Sequence, residues 1–527
     1  MAYSSGTSSG SATLTDADDL YPAHINELRQ SNPASFVVGQ TSSTQFACDG
    51  TADDVQIQAA LTAANTAGGG RVIILNSTTN YDITAKLTIY GNTILEAEDY
   101  GGVTLKAKTS LNDRLMVNTA RDVGSGTDYN VDIRNFIFDC NGANQTGSTA
   151  PTFSRTDRLN LINCKFINAY DSLLLITGSP SYINNNCLLR DVHFIGTNQQ
   201  SSTDLVDIGN GYNITLDNTY WYNAKTTSGI SMCSLSYIKN LVILGGKFDG
   251  NNNGSPLVIY GCDGAILGAE VVNSYESGIR LEPWMEVTPI RNMTGLRIIG
   301  NDIHHNTQSG IWSRHGTANF ADDYWTRGVK IIGNDIHDNA RNGLHLTYHK
   351  GIDISHNDIY NNSTSGAGTY FAVNLTTPGV TYTYGVYDAI ISRNHFFDTQ
   401  GSVTQTKAFN IDNANGVQIE GNDFKNITTV KTEVNSPTGI RMRNNIGYVT
   451  ENSGTGTIAS GATTAVVTHG LGVTPTLDDL SIVFGEQGTA DYGRWWISSI
   501  TSTQFTLNVS VDPGASNLDF AWKAIVL

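Results

Sequence analysis

Arg280 and Glu282, Trp312 and Arg314, and His345 and Thr347 stand at matching places in three successive repeats of this chain. Within each pair one residue intervenes, the spacing that puts two side chains on the same face of a β-strand. With strands stacked ~4.8 Å apart, these groups and Tyr260, one repeat earlier, meet in one patch. Carboxyl, guanidinium, imidazole and phenol groups at such distances suit two reactions. In the first, one carboxyl group protonates the oxygen leaving a glycosidic bond while a second activates water or attacks carbon. Glu282, on a strand, is the leading acid, and its partner is Glu286, Asp322 or Asp323 from adjoining loops. In the second, β-elimination on a uronic acid, a base takes the C5 proton while cations or acids stabilise the enolate. Arg280, Arg314, His345, His349 and Tyr260 fit those roles.

The loops that leave the same repeats carry aromatic residues. EPWMEVTPIRN (Glu282–Asn292) brings Trp284, RHGTANFADDYWTRG (Arg314–Gly328) brings His315 and Trp325, and TYHKG (Thr347–Gly351) brings Tyr348 and His349. Aromatic faces beside hydrogen-bonding groups match a sugar, which has an apolar CH face and hydroxyl edges. Tyr260, Trp284, Trp312, His315, Trp325, Tyr348 and His349 are therefore the expected binding surface. The plain structural alternative is a solvated ladder of ion pairs between Glu282 and Arg314. Asp207, in DLVDIG, also points outward, but it lies three repeats from Glu282, roughly 14 Å, too far for an ordinary carboxylate pair. A cationic patch on a chain of net charge −17 points to an anionic glycan.

The elements that position these groups follow from a seven-residue frame that recurs twelve times between Arg134 and Tyr448. IGNDIHH (Ile299–His305), IGNDIHD (Ile332–Asp338), SHNDIYN (Ser355–Asn361), SRNHFFD (Ser392–Asp398) and EGNDFKN (Glu420–Asn426) are its clearest copies. Successive copies are 22 to 37 residues apart, the range of stacked structural repeats. The fifth position holds Phe138, Phe166, Phe194, Trp221, Phe248, Val271, Ile303, Ile336, Ile359, Phe396, Phe424 and Ile446, an internal apolar ladder. The third position becomes asparagine in the later copies, Asn301, Asn334, Asn357, Asn394, Asn422 and Asn444, whose amides are expected to hydrogen-bond from rung to rung. Alternating runs such as Leu296-Arg297-Ile298 and Gly343-Leu344-His345-Leu346 flank the frame and read as strands with one buried face. Short strands, an Asn-rich turn per repeat and no helical period give an all-β chain, a right-handed parallel β-helix of about twelve or more coils. In the sheet after each turn, Ile230, Leu257, Ile279, Ile311, Leu344 and Val373 are placed inward. Ser231, Val258, Arg280, Trp312, His345 and Asn374 then form one outward column, and Cys233, Tyr260, Glu282, Arg314, Thr347 and Thr376 a second.

Only 15% of residues are charged, and the negative balance argues against nucleic acid and basic membrane-surface binding. No apolar run reaches membrane-spanning length, and MAYSSGTSSGSATLTDADD lacks the features of a secretory signal. Cys140, Cys164 and Cys187 lie 24 and 23 residues apart and read as stacked core residues, with no CxxC or His-Cys cluster for a metal. The Asn-Asp pairs follow the coil rather than a calcium loop. Neither a metal nor a cofactor is expected.

Before the repeats, FACDGTADDVQIQAALTAANTAGGGRVIIL (Phe46–Leu75) places Ile57, Ala60, Leu61 and Ala64 on one face of a helix, with Asp53 as its cap and Gly68–Gly70 as its stop. That run followed by coils resembles the pectate-lyase-like β-helix superfamily, and bacteriophage tailspike depolymerases in particular, over roughly Phe36 to Tyr448. The resemblance implies a polysaccharide depolymerase, a homotrimer, and a place in a virion tail or outside the cell. Acid-assisted hydrolysis is the leading reaction, with a lyase in the same groove second and a non-catalytic glycan-binding adhesin third. The expected domains are a flexible segment at 1–35, a helix-bearing cap at 36–110, the catalytic β-helix at 111–450 and, by resemblance to C-terminal modules of phage tail proteins, a β-sandwich at 451–527 that trimerises or binds glycan. Trp495, Trp496 and Trp522 in that sandwich read as core and subunit-interface aromatics rather than sugar platforms.

Overall fold

The computed structural model describes residues 35–179, 181–196, 204–223, 231–250, 254–282, 293–313, 326–377, 385–485 and 491–526. Residues 1–34 of the expected flexible N-terminal segment lie outside them. The chain divides into two compact units, Met1–Ser201 and Ser202–Leu527, a boundary inside the repeats that no composition shift marks.

In the first unit, Ser35–Gly39, Gly70–Ile74, Thr93–Ala97, Asp128–Arg134, Thr156–Ile162 and Leu188–Arg190 pair in parallel, each with the strand of the next coil. The helix Asp54–Thr66 buries Ile57, Ala60, Leu61 and Ala64, the face expected from their spacing. Asp53 stands at its N-cap position, but its carboxylate does not cap the helix. It is fully buried and accepts the Gly50 and Asp82 N–H groups at 2.8 and 2.9 Å, which satisfies the buried carboxylate. Phe138, Phe166 and Phe194 stack face to face at 4.8 and 5.2 Å.

In the second unit two coils carry the long strands Val206–Asp217 and Cys233–Leu244, and later coils have three short strands, as in Ile279–Glu282, Arg297–Ile299 and Asp302–His304. The frame is the turn between the second and third. There each asparagine Oδ1 accepts the backbone N–H and the Nδ2 of the asparagine one coil earlier: Asn301 on Asn334, Asn334 on Asn357, Asn357 on Asn394, Asn394 on Asn422, with every bond at 2.9 or 3.0 Å. The last rung is Asn445, not Asn444: Asn422 donates to its Oδ1 at 2.9 and 3.1 Å, while Asn444 sits exposed with φ 54°. The final coil is therefore one residue out of step with the frame, and Ile446, expected inside, is 67% exposed. A second ladder, Asn306–Asn339–Asn362–Gln405, runs at the other end of the same strand. Asn334→Ala removes the acceptor of two Asn301 donors and is expected to cost about 3 kcal/mol, read as a lower urea midpoint, because it orphans buried groups. A midpoint unchanged from wild type would mean that the ladder adds no stability.

The second unit ends in a β-sandwich. Glu451–Ile458, Leu518–Ile525 and Leu480–Phe484 make one antiparallel sheet, and Thr464–Thr468, Gln504–Val509 and Trp495–Ser498 the other. Ile458, Val467, Phe505, Leu507, Phe520 and Trp522 form its core. Trp522 is thus the core aromatic expected, whereas Trp495 and Trp496 are 45% and 48% exposed. All six cysteines are free and buried.

Candidate active site

The strands Val206–Asp217, Cys233–Leu244, Leu257–Tyr260, Ile279–Glu282, Ile311–Ser313 and Leu344–Leu346 lie side by side in register. Leu257, Ile279, Ile311 and Leu344 point inward, as the alternation requires, and Arg280, Trp312 and His345 line up outside. One strand departs from the sequence reading. Cys233, not Ile230, lies opposite Leu257, and Ser234 and Ser236, not Ser231 and Cys233, lie opposite Val258 and Tyr260. Cys233 is fully buried, as a small, weakly polar side chain tolerates, and so takes the inward place. The three-residue shift brings Ser234 beside Asp207, so the outward column runs Asp207, Ser234, Val258, Arg280, Trp312, His345, Asn374.

Arg280 is the hub of this column. Its Nη1 bonds Glu276 Oε2 and its Nε faces Glu282 Oε1, each at 3.0 Å, and its Nη2 donates to the Tyr260 hydroxyl at 3.0 Å. The three charged side chains are only 12 to 18% exposed. Burial pushes the guanidinium pKa down, but Glu282, Tyr260 and Glu276 outweigh it and the net shift is upward. Tyr260 is 8% exposed, and burial raises its hydroxyl. Within the expected cationic patch, the Arg280 guanidinium is held by Glu276 and Glu282, and its charge also reaches Asp204.

Asp204 and Asp207 are the pair that the sequence reading missed. Asp207 projects from its strand between buried Val206 and Ile208. Burial, reinforced by the neighbouring Asp204 carboxylate, raises its pKa to about 6. Burial raises Asp204 as well, and its net shift stays upward although the Ser231 N–H at 3.1 Å, the Ser231 and Ser234 hydroxyls and the Arg280 charge oppose it. Two carboxyl groups that repel each other in different surroundings differ in proton affinity, and the hydrogen bonds and the cation beside Asp204 favour its charged form. Asp207 was set aside because it stands three strands from Glu282, and that separation holds. Its partner comes instead from three residues earlier in its own chain, where Asp204 enters the strand. Glu276 enters the next-but-two strand in the same way, four residues before Arg280. A carboxylate just before an outward-facing polar strand was the one signal available.

The remaining expected residues divide into three groups. His345 lies in the outward column with its ring 6.2 Å from that of Trp312, and burial, helped by Arg341, lowers its pKa to about 4, so it is neutral at pH 7. Trp284, Glu286, Arg314, His315, Asp322, Asp323 and Trp325 lie outside the described residues. Tyr348 and His349 are corrected: they are 3% and 0% exposed and present no surface to a sugar. His349 pairs with Thr326 in a short parallel sheet whose alternate residues, Arg327 and Lys350, face water, which turns His349 into the core. Tyr348 turns inward at a left-handed backbone position, φ 55°.

Neither His349 ring nitrogen meets a hydrogen-bond partner among the described residues, and burial lowers its pKa to about 3. The unfolded chain takes up a proton near pH 6.5 that the folded chain refuses until about pH 3, so stability is lost as pH falls through that window. By pH 4 this single group is expected to cost about 3 kcal/mol. His349→Leu removes the proton uptake and gives up no hydrogen bond, so its Tm is expected to fall less than that of wild type between pH 6.5 and 4. Parallel Tm–pH curves would show that His349 does not titrate with unfolding.

Among the described residues, no group of three or more His, Cys, Asp or Glu side chains is arranged to hold a metal ion. No helix among them is long and apolar enough to cross a membrane.

Comparison with known proteins bears on the fold. The family model for the right handed beta helix region matches residues 288–470. The A-module of mannuronan C-5 epimerase AlgE4 from Azotobacter vinelandii is similar at 15% identity and TM-score 0.50, over 76% of this chain and 99% of that one. The Dettilon tailspike protein is similar at 13% identity and TM-score 0.48, over 97% of each chain. The Streptococcus pneumoniae surface adhesin PfbA is similar at 14% identity and TM-score 0.38, over 75% of this chain and 88% of that one. No curated protein sequence matches the chain. The stacked parallel coils, the asparagine ladder and the match to the β-helix model together make this chain a right-handed parallel β-helix, with its carboxylate cluster on the outer face of one sheet.

Proposed function

We propose that this chain is a polysaccharide depolymerase that hydrolyses glycosidic bonds of a bacterial surface or matrix glycan, with Asp207 as the acid. The observation that carries the reading is the Asp204–Asp207 pair, two desolvated carboxyl groups three residues apart, of which Asp207 is raised to about 6 by burial and by the Asp204 charge. Asp207 gives its proton to the glycosidic oxygen as the bond to the anomeric carbon breaks. Water adds to that carbon and passes its proton to Asp204. Arg280 holds Glu276, Glu282 and Tyr260 rigid further along the same face, and Trp312 offers a sugar its indole face there. Glu282, the leading acid in the sequence reading, becomes a positioning residue, because its carboxylate is engaged by Arg280. A guanidinium already held by Glu276 and Glu282 favours a neutral glycan over an anionic one. With the cap signature DGTADDVQIQAAL, the reading extends to a homotrimer carried on a phage tail.

The test incubates the protein with neutral and uronate polysaccharides and follows reducing ends together with the ultraviolet absorbance of unsaturated uronate. Reducing ends without absorbance support hydrolysis. Both signals together mean β-elimination, for which a neutral His345 is the available base. Neither signal on a glycan that the protein binds means an adhesin or, if the sugar composition changes, an epimerase.

A further inference from the structure

In the first unit, the strand Met116–Asn118 pairs with Leu87–Ile89 on one side and Thr152–Phe153 on the other, with Val117 between Thr88 and Thr152. An open cleft of about 270 Å³ is lined there by Lys86, Asp113, Arg114, Val117, Arg121 and Asp122. Lys86 and Asp122 are paired with each other. Asp113 is exposed and accepts the Arg114 backbone N–H at 2.7 Å. Arg114 is half-buried, and its Nη1 donates to the Ser148 hydroxyl, which in turn donates to Asp171 Oδ1 at 2.7 Å. That relay fixes the guanidinium at the cleft wall and leaves its other N–H groups uncommitted among the described residues. Burial lowers the Arg114 pKa against the pull of Asp171 and Asp113, and the nearby Arg121 charge lowers it further. Neither Arg114 nor Arg121 forms an ion pair among the described residues. With Lys86 and Asp122 cancelling, two guanidiniums face one carboxylate, a local positive excess on a chain of net charge −17.

We propose that this cleft binds a phosphate group, free or carried as an ester on a sugar, between Arg114 and Arg121. Each guanidinium presents N–H donors in a planar fork that matches two oxygens of an anion. A half-desolvated cation without a carboxylate partner attracts an incoming anion more strongly than a fully exposed one does. Phosphate at pH 7 carries about −1.5 to −2 charges and can face both guanidiniums at once, whereas a carboxylate satisfies one. The cleft is at the small end for a ligand site, which suits a compact anion rather than a run of sugars. The plain alternative is a pair of solvated surface arginines, but a solvated arginine needs no Ser148–Asp171 support behind it. The site stands whether or not the carboxylate groove cleaves glycan.

The test titrates the full chain calorimetrically at pH 7 with inorganic phosphate, glucose 6-phosphate and acetate, with sodium chloride holding the ionic strength constant. Phosphate is expected to bind a single site. Arg121→Gln, a change to an exposed side chain, is expected to weaken it roughly tenfold or more, the worth of one charge-assisted hydrogen bond. Arg114→Lys keeps the charge but loses the fork and should weaken binding in the same direction, and near-ultraviolet circular dichroism checks that the fold is intact. Glucose 6-phosphate binding as tightly as phosphate assigns the site to a phosphorylated sugar, and phosphate binding alone assigns it to the free ion. No binding of either above the chloride background, acetate binding as tightly as phosphate, or an affinity unchanged by Arg121→Gln overturns the proposal. So does equal weakening by Lys350→Gln, an exposed cation of the second unit, which would show a diffuse field rather than a site.

Discussion

Asp207→Asn is expected to lower kcat on the substrate glycan roughly a thousandfold while binding persists, since a positioned general acid contributes about 10² to 10⁴ in rate. The pH profile gives a second reading of the same group. Asp207 acts protonated and has a pKa of about 6, so wild-type turnover is expected to fall as pH rises through 6. The stability effect runs in the opposite direction. A carboxyl group whose folded pKa lies above its unfolded value binds more protons when folded, so its burial costs stability as pH rises from about 4 to about 6. Asparagine carries no charge to bury. Asp207→Asn is therefore expected to be more stable than wild type at pH 7, by up to about 3 kcal/mol, and equal to it near pH 4. Loss of turnover with a gain in Tm separates a lost acid from a damaged fold, as expected where a site retains a costly charge for function. Turnover within tenfold of wild type would remove Asp207 from the mechanism.

Arg280→Met is expected to destabilise the protein by about 3–5 kcal/mol at pH 7, the usual cost of taking one partner from a buried ion pair. Glu276 and Glu282 lose the cation that they share at 3.0 Å, and Tyr260 loses the donor to its hydroxyl. Methionine fills much of the arginine stem's volume, which keeps the loss largely electrostatic. Adding Glu276→Gln and Glu282→Gln should recover most of it at pH 7 by removing the charges left behind. Urea unfolding of the wild type, Arg280→Met and the triple variant at pH 7 measures both effects. A loss under 1 kcal/mol, or one that the glutamines do not relieve, would show that the cluster is solvated rather than bound by its ion pairs.

Much of the scaffold was legible because the repeat states it many times over. Phe138, Phe166, Phe194, Trp221 and Phe248 share one frame position, and all five are buried. Asn301 to Asn422 stack as their spacing requires, and the frame fails only at the last coil, where Asn445 replaces Asn444. The alignment of Arg280, Trp312 and His345 was readable too, since each follows an inward aliphatic residue. The candidate site was legible only in part. Glu282 and Tyr260 stand where the alternation puts them, but Asp204 and Glu276 approach from strand entries, where no period applies.

The sequence by itself determined the coil, its inward ladders and the face on which each strand residue falls, because a period of two assigns faces without reference to any neighbour. Tertiary structure decided what those faces hold. Turn lengths shifted Cys233 inward and set Ser234 beside Asp207, and a short sheet turned His349 into the core. It also decided the chemistry of the acids. The proton affinity of Asp207 and the neutralisation of Arg280 depend on which charges and how little water surround them, and only the stacking of strands distant in sequence fixes that environment.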